Sequence, residues 1–350
     1  MWLNARRTQE ICDRYFSTIE NQDLVKVKTI DKISVVFTKW RSLRQLLHAI
    51  QHYRHVLEPV VHKIYIAWNP SLGVPNLELT RLKFLKGGPL VEIITHRYES
   101  GNNIWNPIVG LATKAVFLVD DEHLPDLEKT EMAYEAWKGN KLSLVGFFAR
   151  YHTRQKLAEM DSLSPSLNET ENAFSSIPAE GQGLSSSIAA GPNPLQPLSQ
   201  PSGPLSIVDD QYLWIYNLTS TRRPRPYSLL SSQMLLLSSD HLFTYTCLLP
   251  ERIHRFIDEQ SEDGADLAMN LMVAGMASAR PILVKSDFVD PESGRFAGES
   301  WALSRGQLLK ELVNIFTGGT RDPLQFNSVS VTQFNRIPFK KRSIKQWNKQ

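Results

Sequence analysis

The stretch that most constrains this chain is Val116-Phe117-Leu118-Val119, which runs directly into Asp120-Asp121-Glu122. Four consecutive apolar residues without polar alternation read as a short strand covered on both faces. The acids then fall at its carboxyl end, the edge where ligands bind in open α/β sheets. Three neighbouring carboxyl groups repel one another, so a positive charge must compensate. A divalent cation carrying a nucleotide diphosphate would do so, because hard cations take oxygen ligands. The same residues also read as a solvated loop, with His123 and Pro125 marking a turn after the strand.

At 350 residues and 42% apolar content, the chain has room for one large α/β domain or two modest ones. A formal charge of +3 implies no strong overall field for nucleic acid or membrane. The basic excess sits near the end, in Lys340-Lys341-Arg342 and Lys345. Without a basic face carrying interleaved aromatics, no nucleic-acid partner is expected. The two cysteines, Cys12 and Cys247, lack zinc-type spacing. A bridge and two free thiols both remain open. No stretch approaches the roughly 20 apolar residues of a membrane span. The first residues are charged, without the apolar core of a secretory signal.

Residues 1–30 read as a charged helical lead-in. Strands are expected at 32–38, 60–68 and 90–94, with a helix from Ser42 to Tyr53 whose N-cap is Ser42. A polar stretch, 99–107, precedes a short helix and then the acid-tipped strand. This alternation predicts parallel pairing in the first half. A helix is expected at 129–138 with Gly139 as its stop, then a strand from Ser143 continuing to His152. Residues 159–206 are dominated by Ser, Pro, Gly and Asn and read as a disordered insertion within one fold. Further on, 212–216 is a strand, 227–237 is helix or strand, and 250–260 and 266–279 are helices. Residues 282–284 form a strand, 294–298 a loop, and 303–316 a helix. No internal repeat, GxGxxG or P-loop is present.

Several segments resemble the transferase domain of the exostosins and exostosin-like proteins, glycosyltransferase family 64. The family's strand followed by Asp-Asp-Asp is matched by Val119-Asp120-Asp121-Glu122. Its Val-Gly-Phe-x-x-Arg-x-His is intact at Val145, Gly146, Phe147, Arg150 and His152. Its Asp-Ile-Ala-Met-Asn is matched by Asp266-Leu267-Ala268-Met269-Asn270. Ala302-Leu303-x-Arg305, Leu312-Val313-Asn314-Ile315-Phe316, Ser328 to Phe334, Ser100-Gly101-Asn102-Asn103 and Trp68-Asn69 also fall in family order. The similarity runs from about residue 31 to 339, interrupted by the insertion.

The resemblance implies an α/β fold of the GT-A nucleotide-diphospho-sugar transferase type, with a mixed central sheet flanked by helices. Residues 31–158 would form the nucleotide-sugar half, 207–339 the acceptor half, and 340–350 a basic tail. It implies manganese-dependent, retaining transfer of a hexosamine or hexose from a UDP-sugar donor to a glycan or glycolipid acceptor. The expected setting is the ER or Golgi lumen, with membrane association. In this reading Glu122 binds manganese, and Asp120 and Asp121 accept from ribose or sugar hydroxyls. Asp266 stabilises positive charge at the anomeric carbon. Arg305 neutralises the diphosphate. Arg150 and His152 hold the loop beneath the donor, and Asn69 and Asn103 contact uridine. Taken alone, Asp266 reads as a helix N-cap and Arg305 as a solvated helix residue.

Besides Glu122, which stands for the family's third Asp, the chain departs from the family at four places. Ile104 follows Asn103 where the family has Arg. Ser231-Ser232-Gln233-Met234 replaces Thr-Gly-Ala. Ala265 replaces an acid. Two cysteines that bridge in animal members fall at Gly264 and Leu308. Ile104, Ala265 and Glu122 support a second reading, a catalytically weakened sugar-nucleotide- or glycan-binding partner of another glycosyltransferase.

Overall fold

The computed structural model describes residues 2–21, 30–75, 77–156, 212–219, 226–260, 264–293, 298–324, 326–327 and 330–331. Helix α1 (Trp2–Asn21) opens the chain. Then come β1 (Ile30–Phe37), α2 (Leu43–His55), β2 (Val61–Trp68), α3 (Leu77–Arg81), β3 (Leu90–Thr95) and β4 (Thr113–Val119). α4 (Leu127–Gly139) leads to β5 (Val145–Gly146) and β6 (Ala149–Lys156). Past residue 211 lie β7 (Tyr212–Leu218), β8 (Leu229–Leu230), β9 (Leu235–Ser238) and α5 (Ser239–Phe243), which runs into a π-helical turn at Thr244–Leu248. α6 (Glu251–Glu259), α7 (Ala265–Ala277), β10 (Ile282–Val284), α8 (Glu299–Thr317) and β11 (Ser330–Val331) complete the order.

Among the described residues the strands form a mixed sheet, ordered β11-β10-β5-β9-β4-β1-β2-β3, and a second sheet, β7-β6-β8. In the first sheet β1 runs parallel to β2 and β4, and β2 parallel to β3. β9 enters antiparallel between β4 and β5. Segments from before residue 157 and after residue 211 therefore interleave in one sheet.

The apolar run of β4 is explained by its cover. Ala115, Phe117 and Val119 join Val35 and Phe37 in a core beneath α2 and α4. Val116 and Leu118 join Val36 and Ala67 in a second core with α7 and α8. A strand buried on both faces has no polar positions to alternate. Ser42 caps α2 as expected, its Oγ accepting the Gln45 N–H at 3.2 Å.

The expected strand from Ser143 to His152 is in fact two strands. β5 pairs within the large sheet, whereas β6 belongs to the second sheet, with the chain crossing at Phe147 and Phe148. The short helix expected after Pro107 is a 3-10 turn, and it lies earlier, at Gly101–Trp105. Residues 227–237 resolve as β8 and β9, separated by Met234 at a left-handed φ of 52°. α3 and α5 were not expected. The insertion, most of the 294–298 loop and the basic tail lie outside the described residues.

Cys12 and Cys247 form a disulfide that ties α1 to the π-helical turn. Gly264 and Leu308, the positions of the family's bridge, do face each other. A Cβ on Gly264 would stand 2.9 Å from Leu308 Cδ2.

Candidate active site

The acids at the end of β4 find their compensation within the protein. Asp120, buried at 5% exposure, uses its Oδ1 to accept the N–H groups of Glu122 at 3.0 Å and His123 at 2.9 Å. The His123 ring Nδ1 lies 3.0 and 2.9 Å from the two Asp120 carboxylate oxygens. A carboxylate offers about four acceptor positions, so Asp120 is largely committed to shaping its own turn. Asp121 Oδ2 accepts the Arg41 N–H at 2.9 Å, and the Arg41 guanidinium pairs with Glu122. Glu122 is the exposed member of the three.

His123 carries the turn's connection outward. Its Nε2 lies 3.0 Å from the Val289 carbonyl oxygen. Both ring nitrogens therefore face acceptors, an arrangement satisfied only by the doubly protonated imidazolium. Burial opposes that charge, but the hydrogen bond and charge of Asp120 outweigh it and raise the His123 pKa.

The residues just past Val289 are gripped by Arg150, which is fully buried. Its Nη1 and Nη2 donate to the two oxygens of Asp290 at 2.5 and 3.0 Å, and Nη2 also donates to Glu292 at 2.7 Å. This fork fits a carboxylate in a way Lys cannot. Arg150 thus holds a loop, and that loop contacts the acidic turn through Val289. His152 lies between the rings of Trp214 and Phe326, with its nitrogens 2.8 Å from Ser228 Oγ and 2.7 Å from Asp322 Oδ2.

Asp266 sits in the first turn of α7, but the N-cap is Gly264. Its carboxylate instead meets Arg305 of α8, whose Nη2 donates to both oxygens at 2.8 Å. Both residues are buried. The Arg305 guanidinium lies 5.0 Å above the Tyr216 ring. Burial opposes the charge on Arg305, but Asp266, followed by Tyr216 and Glu292, outweighs it and raises its pKa. Burial raises the Tyr216 phenol, with Arg305 and Arg150 acting against it. Tyr216 and Glu292 thus place Arg150, Arg305 and Asp266 in one electrostatic cluster. The last residue of the Asp266 motif explains itself: Asn270 exchanges hydrogen bonds with the Leu230 backbone, at 3.0 Å to its N–H and 2.9 Å to its carbonyl.

Asn69 and Asn103 are brought together, with Asn103 Nδ2 donating to Asn69 Oδ1 at 3.1 Å. The turn carrying Asn103 is tied to α7 because Trp105 Nε1 donates to the Ala265 carbonyl at 2.9 Å. Arg41, Tyr216, Asp290 and Glu292 were not singled out from the sequence, and His123 only as part of a turn. None stands in a motif, and their partners are remote in the chain.

Among the described residues no group of three or more His, Cys, Asp or Glu side chains is arranged to hold a metal. No helix among them is long and apolar enough to cross a membrane.

Comparison with known proteins shows which family the chain resembles in sequence. The sequence profile of the Glycosyl transferase family 64 domain matches residues 33–177 and 205–332. The chain is 22% identical to Glycosyltransferase family protein 64 C3 of Arabidopsis thaliana, over 81% of this chain and 68% of that protein. It is also 22% identical to Exostosin-like 2 of Homo sapiens, over 87% of this chain and 78% of that protein. The acid-tipped strand, the Arg150 motif and the Asp266 motif all lie inside a profile match spanning well over half of the chain, which therefore belongs to glycosyltransferase family 64.

Proposed function

We propose that this protein is a retaining glycosyltransferase of the GT-A type, using a UDP-sugar donor and a glycan or glycolipid acceptor with manganese. The observation that carries the reading is the set of contacts from Asp120 through His123 to Val289 and from Asp290 to Arg150, whose charge, like that of Arg305 over the Tyr216 ring, acts on the Tyr216 phenol beside Asp266. The loop that meets the acidic turn at Val289 also carries Glu292, whose charge acts on Arg305.

The residues fit a manganese ion carried mainly by the donor. Hard cations in phosphate sites are commonly held by one or two carboxylates plus substrate phosphates. Glu122 is the carboxylate available for this, since its partner Arg41 is itself half-exposed and can be displaced. When bound, the ion would stabilise charge on the departing diphosphate. Asp121 orients a hydroxyl of the ribose or sugar, and Asp120 holds the turn. Asp266 faces the anomeric carbon and favours its developing positive charge. Arg305 fixes the Asp266 carboxylate and lends its remaining charge to the diphosphate. Arg150 and His152 are positioning residues for the loop below the donor.

The Cys12–Cys247 bridge suits an oxidising compartment such as the ER or Golgi lumen. A second reading, a non-catalytic partner of another glycosyltransferase, is favoured by Ile104, which lines a cavity where the family has Arg. One assay separates the two readings. UDP release from UDP-N-acetylglucosamine, UDP-N-acetylgalactosamine and UDP-glucose is measured with manganese or with chelator. Manganese-dependent release with retained anomeric configuration is expected. UDP binding without release of any sugar would favour the partner reading, and inverted product would overturn the retaining assignment.

A further inference from the structure

The segment that joins β2 to β3 is apolar on its outer side as well as its inner one. In α3 and the 3-10 turn that continues it, Leu82–Phe84, Leu79 and Leu82 face inward and are buried in the core beneath α2. Leu77 and Phe84 stand two turns apart on the opposite side, 64% and 82% exposed, with the exposed Arg81 between them. Val74, just before α3, is 91% exposed, and Leu90, which opens β3, is exposed as well. Exposed apolar residues scattered singly need no explanation, but four within one segment mark an interaction surface.

The tip of this segment is held in place from below. Arg54 of α2 is buried. Its Nε donates to the Pro89 carbonyl at 3.0 Å, and its Nη2 donates to the carbonyls of Leu85, at 3.4 Å, and Gly87. A buried guanidinium is costly unless its donors are matched, so these bonds fix the loop from Leu85 to Pro89. At Gly88 the loop runs so close to α2 that a Cβ would stand 2.9 Å from the Arg54 carbonyl oxygen. The residues this support presents are Lys83-Phe84-Leu85-Lys86, all exposed.

The order of charges selects the partner. Lysine is depleted from the cores of protein interfaces, yet here a lysine stands on each side of the apolar pair. Arg81 adds a third cation, and Glu78 is the one acid in the sequence from 74 to 90. An anionic bilayer matches this pattern. Phe84 and its neighbours would enter the boundary between headgroups and acyl chains. The lysines would lay their stems along that apolar surface and keep their ammonium groups at the phosphates.

We propose that Val74, Leu77, Phe84 and Leu90, with Lys83 and Lys86, form a docking surface for an anionic phospholipid bilayer. This goes beyond the donor reading and stands without it.

The test sediments the whole chain with vesicles of phosphatidylcholine alone, or with about one-third phosphatidylserine. The parent is expected to bind the anionic vesicles about tenfold or more tighter than the neutral ones. Phe84→Ser removes apolar area, and Lys83→Gln combined with Lys86→Gln removes charge. Each is expected to weaken binding by about tenfold or more. Met276→Ser, at an exposed apolar residue of α7, should stay within about twofold of the parent. Thermal unfolding checks that the fold is kept, and the lysine pair carries the test if Phe84→Ser loosens the tip. A parent without preference for anionic vesicles would overturn the inference. So would parent-like binding in a folded variant of either kind, which would move the attraction to another basic stretch such as Lys340-Lys341-Arg342. Equal loss in Met276→Ser would overturn it as well, since the apolar effect would then have no address. A dimer in sedimentation velocity that Phe84→Ser dissolves, without vesicle binding, would give the surface to a second copy of this chain instead.

Discussion

Gly306→Ala is the most informative single substitution in the scaffold. Gly306 lies inside α8, where Ala is ordinarily better than Gly by about 1 kcal/mol. Here α8 rests directly on the backbone of β7. A Cβ at Gly306 would fall 2.0 Å from the Trp214 carbonyl oxygen, 2.6 Å from its carbon and 3.0 Å from Ile215 Cα. Close C···O contacts settle near about 3.3–3.6 Å, so α8 must retreat by more than about 1 Å. The obstacle is backbone, which cannot swing aside as a side chain can. Overpacking costs about 1–3 kcal/mol, occasionally more, and the rigid obstacle places this case at the upper end. A net loss of about 2–3 kcal/mol should lower Tm by roughly 5–10 °C. The same retreat draws the neighbouring Arg305 away from Asp266, and a misplacement of about 1 Å can reduce turnover by about 100-fold. Gly275→Ala is the control. It is also helical, but its nearest neighbour would be Pro323 Cβ at 3.8 Å, so it should be neutral or slightly stabilising. Thermal unfolding of the two variants beside the parent decides the matter. A Gly306→Ala protein as stable as Gly275→Ala would refute the claimed contact.

Three further outcomes follow from the site. Glu122→Gln should leave stability within about 1 kcal/mol, because its partner is a surface arginine, yet weaken manganese-dependent UDP binding by about tenfold or more. Glu122→Asp should retain binding, and calorimetry showing unchanged affinity in Glu122→Gln would remove Glu122 as a ligand. Asp266→Asn reads from sequence as a mild change of under about 1 kcal/mol at a cap. With Arg305 buried against it, the expected loss is instead about 3 kcal/mol, alongside a turnover drop of about 100-fold; denaturant melts showing parent-like stability would mean the pair is not the partner of record. His123 has a raised pKa in the folded state, so its stabilisation is fully present below the unfolded value near about 6.5 and fades as pH rises through the folded value. The stability gap between parent and His123→Gln should narrow with rising pH, and a pH-independent gap would show that the ring acts without its charge.

Much of the scaffold was legible because local patterns carried it. Val116 to Val119 reads as a doubly covered strand, and α2 shows both its apolar spacing and its Ser42 cap. The failures have local causes too. Phe147 and Phe148 look like the middle of one strand, since apolar residues suit both sheets, and nothing marks the crossing. The break between β8 and β9 would be plain with Gly at its left-handed position, but Met234 holds it. The Asp266 and Arg305 motifs were found, whereas their pairing was not, because it joins residues 39 apart in the chain. Arg150 meets Asp290 across 140 positions, and Cys12 meets Cys247 across 235. Such contacts are fixed by the sheet order, which no short window of sequence encodes.

The central claim is that the end of β4 is a manganese-dependent site for a nucleotide diphosphate. Calorimetric titration of the whole chain with UDP, in manganese and then in chelator, tests it most directly. The account predicts saturable one-to-one binding with manganese and binding weaker by about tenfold or more without it. UDP affinity that is the same in manganese and in chelator, or no UDP binding in either, would contradict it.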